Sequence, residues 1–189
     1  MVEFLYQIDA AVFQFLNGAV ANPVFDRIMP VITKVQNWRI PILAIVLVFL
    51  IFGGKKGRIT ILLVVLILTL SDQVSSSLIK PWVGRIRPCF VLDDVRLLIG
   101  QPRSPSFPSS HAANLAGMAV LFSLRYRKWM WIPISLALIV SYSRIYLGVH
   151  YPSDVIGGWL VGILCAAAVL GAKSGFEYFR RNRKKEVTT

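Results

Sequence analysis

Apolar residues in this chain run in long blocks, and the polar residues gather between them. Five blocks predict membrane-crossing helices, at residues 38–52, 59–79, 109–124, 129–147 and 152–172, since a bilayer core takes about 20 apolar residues per crossing. A basic turn separates the first two blocks, at 53–58, and another follows the third, at 125–128. A long polar loop spans 80–108. The N-terminal stretch 2–16 is different: Glu3, Gln7, Asp9 and Gln14 are set among Phe, Leu and Val. That mixture predicts an amphipathic helix lying in the membrane interface. Asn22-Pro23 breaks it, and 24–36, with Asp26, Arg27 and Lys34, has similar character. The two stretches together leave room for a sixth span.

The expected fold is therefore all-α: a polytopic transmembrane helical bundle of five to six spans with an amphipathic N-terminal helix. Three regions follow, an interfacial one at 1–36, a membrane core at 37–172 and a basic tail at 173–189. Composition agrees. Of 189 residues 56% are hydrophobic, with a mean hydropathy of +0.63, more apolar surface than a soluble domain of this size can hide. The absence of a basic segment before the first apolar residues, where Glu3 and Asp9 stand instead, argues against a cleavable signal peptide.

The net charge of +12 is a topology signal rather than a nucleic-acid surface, because the cations lie in turns between apolar runs. Lys55, Lys56 and Arg58, then Arg125, Arg127 and Lys128, then a tail with six basic and two acidic residues all fall on one side. The positive-inside rule makes that side cytoplasmic. The 80–108 loop and the turn at 147–151 then share the outer face, and a sixth span would move only the N-terminus. The tail's charges also suit anionic lipid, at roughly 1 kcal/mol per charge. Cys89 lies in the polar loop and Cys165 in an apolar run, depths too different for a disulfide, and their spacing is not that of metal ligands.

The outer face collects residues that are costly near a bilayer: Lys80, Arg87, His111, Arg144, His150 and Asp154. Such groups usually face a functional cavity. His111 and His150 are the chain's two histidines. Pro108-Ser109-Ser110-His111 opens the third span, with Ser109 placed to cap it and free backbone N–H groups at its start. Lys80, Arg87 and Arg144 add three cations suited to phosphate oxygens. The arrangement describes a pocket for a tetrahedral dianion. Asp154, four residues after His150 and just past the helix-starting Pro152, can reach back to one ring nitrogen and free the other as a nucleophile. Taken alone, Asp154 would be read as an acidic helix start that complements the dipole.

Together these residues resemble the type 2 phosphatidic acid phosphatase (PAP2) superfamily. Lys80 through Arg87-Pro88 matches its K-x6-R-P motif. Pro108-Ser109-Ser110-His111 matches P-S-G-H with Ser110 in place of glycine. Ser143-Arg144 through His150 to Asp154 matches S-R-x5-H-x3-D. The resemblance implies a membrane phosphatase working without metal or other cofactor. His150 would be the nucleophile that forms a phosphohistidine and Asp154 its orienting partner. His111 would protonate the leaving oxygen and later activate water, so His150 starts neutral and His111 charged. Lys80, Arg87 and Arg144, with Ser109, Ser110 and nearby backbone N–H groups, would clamp the phosphate. Serine at position 110 is expected to be tolerated because φ is negative at a helix start, and its hydroxyl is placed to donate to phosphate.

The implied partners are a lipid-linked phosphate and the membrane's own lipids, not nucleic acid. Family substrates include undecaprenyl diphosphate, phosphatidylglycerophosphate, phosphatidic acid and lipid A; small size and outward orientation point to undecaprenyl diphosphate at the outer leaflet of a bacterial plasma membrane. Rival readings are a phosphotransferase, a haloperoxidase-type oxidation and an anion transporter. Further features are a polar stripe at Asp72, Ser75, Ser76 and Lys80 along the second span, and a small-residue stripe at Gly158, Gly162 and Ala166 read as close helix packing. Asp93, Asp94, Arg96 and Arg103 are read as solvated loop charges.

Overall fold

The computed structural model describes residues 2–186, and the last three residues of the expected tail, 187–189, lie outside them. The described residues form helices and loops with no β-strand. Eight α-helices follow in order: α1 Val2–Gln14, α2 Pro23–Thr33, α3 Val35–Ile51, α4 Gly54–Asp72, α5 Lys80–Val83, α6 Ser110–Arg125, α7 Trp131–Tyr146 and α8 Pro152–Glu186. Two stretches, Gly54–Phe90, which holds α4 and α5, and Pro152–Arg183, are each long and apolar enough to cross a membrane. Helices α2 and α3, bent by 55° at Lys34, meet the same test only as a pair. Helices α6 and α7, at 16 residues each, reach about 24 Å, short of a full bilayer core of about 30 Å.

α6 stands at the centre, packed on α4, α7 and α8. Its tightest neighbour is α8, and glycine permits the approach. A Cβ on Gly162 would collide with the Ala113 carbonyl, and one on Gly158 with the Ser109 carbonyl. The small-residue stripe thus brings two backbones together. It also ties the starts of the two helices, where the Ser109 N–H donates to the Asp154 carbonyl at 2.9 Å. Between α4 and α5 the chain takes a π-helical course over Gln73–Ile79. The wider turn rotates the buried line so that Ser71, Ser75 and Lys80, spaced four and five apart, all point inward. The expected stripe changes accordingly: Asp72 is exposed, and Ser71 takes its place.

The N-terminal segment is bound to the core by Tyr6, Ala10, Phe13 and Leu16 and by a few buried or half-buried polar groups. Phe4, Leu5, Ile8, Val12 and Phe15 face outward, while Phe13 is fully buried against Ala112, Ile145, Tyr151 and Val155. Asn17 is buried; its amide donates to the Tyr146 carbonyl at 2.7 Å and its oxygen accepts from the Arg96 N–H at 2.9 Å. Asp26 accepts from Arg96 at 2.7 Å and from the Tyr146 hydroxyl at 2.6 Å. Arg96 is therefore not a freely solvated loop charge: it pins the 80–108 loop to α2. Gly148 makes the turn before His150 with φ of +80°, and a Cβ there would strike Val95 and the Arg96 carbonyl. α8 does not stop at the membrane end of its apolar block. It continues through the basic tail to Glu186, with Lys173 and Glu177 paired one turn apart at 2.9 Å.

Candidate active site

His150 sits in the turn between α7 and α8 and is 2% exposed. Its Nε2 lies 3.1 Å from Arg87 Nη1. A guanidinium only donates, so Nε2 carries the lone pair and the ring proton sits on Nδ1. Nδ1 faces Asp154 Oδ2 at 3.4 Å. Burial, reinforced by Arg87, Arg144, Lys80 and His111, holds the imidazole well below its ordinary pKa, so the ring is neutral.

Asp154 is fully buried and fixed from three sides. Its Oδ2 accepts from the Tyr151 N–H at 2.9 Å, and its Oδ1 accepts from Arg85 Nη1 at 2.8 Å. Arg85 was not anticipated. It also donates to Ser153 Oγ at 2.6 Å and, through Nη2, to Asp9 Oδ2 at 2.6 Å. Its guanidinium lies 4.0 Å above the Tyr151 ring. Asp9 in turn accepts from the Ser153 N–H at 2.9 Å and from the Ser153 hydroxyl. A chain of contacts thus runs from α1 through Arg85 and Asp154 to the imidazole. The available sequence signals were weak: Arg85 occupies an unspecified position within the first motif, and Asp9 is one polar residue on an amphipathic helix.

Backbone carbonyls hold two of the cations in place. Lys80 Nζ donates to the Pro105 carbonyl at 2.9 Å. Arg87 donates to the Ser104, Pro105 and Val149 carbonyls at 2.7, 3.2 and 2.8 Å. Arg144 differs. It is buried, donates through Nη1 to Thr33 Oγ1 at 2.8 Å, and leaves Nε without a partner. Arg87 meets His150 at 3.1 Å, and His111 and Arg144 line one cavity, so the three motifs converge on one space.

Ser109 departs from its expected capping role. Ser109 occupies the capping position of α6, but its side chain makes no capping hydrogen bond, and its buried Oγ has no partner. Ser110 Oγ sits 3.1 Å from Ser76 Oγ. Its φ is not positive; Asp94 is the one non-glycine residue with positive φ among those described. A cavity of about 300 Å3 opens beside His111 and Arg144, with Thr33, Lys34, Val35, Gln36 and Ile99 completing its wall.

An all-helical integral membrane protein with two imidazoles and a cluster of buried cations at one end of the bundle is what the fold and site define. The chain belongs to the PAP2 superfamily, whose family model matches residues 58–176. It is 36% identical over 171 residues to a lipid A 4'-phosphatase of Bacteroides thetaiotaomicron, covering 86% of this chain and 75% of that one. It is 40% identical over 124 residues to an undecaprenyl-diphosphatase of Sulfolobus acidocaldarius, covering 65% of this chain and 57% of that one. Its fold matches the crystal structure of Aquifex aeolicus LpxE with a TM-score of 0.71 at 26% identity, over 85% of this chain and 93% of that one.

Proposed function

We propose that this membrane phosphatase hydrolyses a lipid-linked phosphate through a phosphohistidine on His150. The observation that carries the reading is the ring's setting: a buried neutral imidazole whose lone-pair nitrogen faces Arg87 while the other nitrogen is backed by Asp154. The substrate phosphoryl group sits among Lys80, Arg87 and Arg144, with the unpartnered Ser109 hydroxyl, the unpartnered Arg144 Nε and the backbone N–H groups of Ser110 and His111 as further donors. His150 Nε2 attacks phosphorus, the P–O bond to the leaving group breaks, and His111 gives that oxygen a proton. Water then attacks the phosphohistidine with His111 as base, which releases inorganic phosphate and restores His150. The cations take up charge on the transferring group, and the scheme calls on no cofactor.

The same reading places α3, α4, α6, α7 and α8 across the bilayer, with α1 in the interface, the core at 37–172 and the basic tail beyond it. Two observations support it. Phe4, Leu5, Ile8 and Val12 of α1 are exposed, a run of apolar side chains that suits a helix embedded at the hydrocarbon boundary. The two basic turns meet each other away from the site: Arg125 donates to Thr60 Oγ1 at 2.7 Å and to the Lys56 carbonyl at 3.0 Å. With that end cytoplasmic, the site faces the outer leaflet of a bacterial plasma membrane. Undecaprenyl diphosphate is the substrate favoured there; lipid A, phosphatidylglycerophosphate and phosphatidic acid are the alternatives.

Purified protein in detergent, assayed with EDTA against a panel of polyprenyl and phospholipid phosphates, tests this. Release of inorganic phosphate that is lost in His150→Ala supports the reading. Undiminished release by His150→Ala, or strict dependence on added Mg2+, overturns it.

A further inference from the structure

Toward the basic turns, α6, α7 and α8 leave a cleft of about 400 Å3 between them. The buried Ala116, Ala119 and Ala137 floor it, and the half-exposed Leu138 and Ile163 stand on its rim. Its polar side-chain atoms are turned away: Ser123 Oγ is buried, and Trp159 Nε1 donates to Ser141 Oγ at 2.9 Å. A recess walled by carbon excludes polar groups that find no partner there, so its occupant is hydrocarbon. Trp159 closes the end nearer His150, where it packs on the core layer of Ala112, Ile145, Tyr151 and Val155. A lipid chain held by the phosphate clamp does not enter from that side. Along α6 the cleft runs from Ala116 to Leu124, about 12 Å at 1.5 Å per residue. Its volume over that length gives a mean cross-section of roughly 33 Å2, against roughly 80 Å2 for a helix 10 Å across. One acyl chain fits, and a helix of a second copy does not.

Leu124 and Ile134 mark the other end of the cleft, and the chain between them is the turn that joins α6 to α7. Arg127 and Lys128 stand on that turn, exposed, and form no ion pair among the described residues. Other cations at this end of the bundle are already engaged. Arg125 holds Thr60 and the Lys56 carbonyl, Lys56 lies 4.6 Å above the Tyr126 ring, and Lys173 pairs with Glu177. Trp129 and Trp131, both exposed, flank the free pair, as indoles do between hydrocarbon and headgroups. The order along the molecule is therefore apolar recess, aromatic belt, two uncompensated cations. A phospholipid presents the same order, chain to headgroup. A zwitterionic head would add an ammonium beside Arg127 and Lys128, whereas an anionic head leaves them attracted to it.

We infer that the cleft and the turn together bind an anionic phospholipid at a site separate from the active site. One acyl chain lies between α6, α7 and α8, and the headgroup phosphate rests against Arg127 and Lys128. With the basic turns cytoplasmic, as read above, the ligand belongs to the inner leaflet, on the opposite side of the membrane from the phosphate clamp.

Native mass spectrometry of the detergent-purified protein, titrated with dioleoyl phosphatidylglycerol and with dioleoyl phosphatidylcholine, tests the site. Wild type is expected to retain phosphatidylglycerol with a Kd roughly 10-fold below that for phosphatidylcholine. Changing Arg127→Gln and Lys128→Gln together removes that preference and leaves phosphatidylcholine binding within about twofold. Ala119→Leu, which fills the floor of the cleft, weakens both lipids. A second measurement reads the cleft without repacking it: quenching of Trp159 by phosphatidylglycerol with brominated chains, taken as the difference between wild type and Trp159→Phe. Quenching that saturates with the bound lipid supports the site. Equal wild-type affinity for the two lipids, a preference that survives loss of both cations, or no quenching of Trp159 overturns it. A dimer that Ala119→Leu splits would assign the cleft to a second copy and overturn it as well.

Discussion

Changing Asp9 to Asn alters one oxygen on α1 and is expected to reach His150 through two other side chains, Arg85 and Asp154. Asp9 Oδ2 accepts from Arg85 Nη2 at 2.6 Å, and Arg85 Nη1 holds Asp154 Oδ1 at 2.8 Å. The Asp9 and Arg85 side chains are 11% and 21% exposed, so solvent screens the pair only partly. A hydrogen bond to a charged group contributes about 1.5–3 kcal/mol. Asn can turn its NH2 toward the guanidinium, placing donor against donor, or turn it toward the Ser153 N–H; one partner is lost either way. Part of the loss appears as stability and part as freedom of Asp154. If about half reaches the barrier, kcat falls between about 3-fold and 12-fold. KM changes little because none of these groups is in the phosphate clamp. Steady-state phosphate release in detergent, alongside thermal unfolding of the same preparation, separates the two effects. A D9N protein that loses stability but keeps wild-type kcat would refute the positioning role of Asp9 and leave α1 as scaffold only.

The remaining expectations are more compact. Because His150 titrates well below the ordinary imidazole range, the acid limb of kcat/KM is expected well under pH 6.5, a point checked by a pH–rate profile; a limb at 6.5 or above contradicts the buried neutral ring. The same shift affects stability. Below about pH 6.5 the unfolded chain binds a proton that the folded ring refuses, so stability is complete above that pH and falls below it by up to about 1.4 kcal/mol per pH unit; thermal melts of wild type against His150→Gln read the difference. Thr33→Val removes the hydroxyl that holds Arg144 Nη1 at 2.8 Å and is expected to raise KM several-fold for any phosphate substrate, by about 1 kcal/mol. Gly162→Ala puts a methyl on the Ala113 carbonyl, and overpacking of this kind costs about 1–3 kcal/mol, read as a lower melting temperature.

Much of this site is legible without coordinates because its chemistry is spelled by rare residue types. Two histidines and a few arginines stand out against apolar runs, and their spacing within the three motifs carries the family. What was hidden depends on pairings that no local pattern records. Asp9 and Arg85 are 76 residues apart, and neither looks unusual where it stands. Counting back from Lys80 with the α-helical period places Asp72 on the inner stripe, but the π-helical turn at Gln73–Ile79 shifts the register, so that Lys80 lines up with Ser75 and Ser71 instead. Ser109 has a capping residue's identity at a capping position, yet its hydroxyl is left unused, because residue type states what a side chain can do and not which neighbour reaches it. The elbow at Lys34 was divided between two segments by reading 24–36 and 38–52 separately, which concealed that the break itself lines the site.

Transfer of phosphate to His150 can be observed directly. Wild-type protein mixed with a 32P-labelled lipid phosphate, quenched within milliseconds under alkaline conditions and digested, should yield an acid-labile label on the peptide that contains His150, with none in His150→Ala. Rapid phosphate release with no covalent label at any quench time, or a label on His111 instead, would contradict the mechanism.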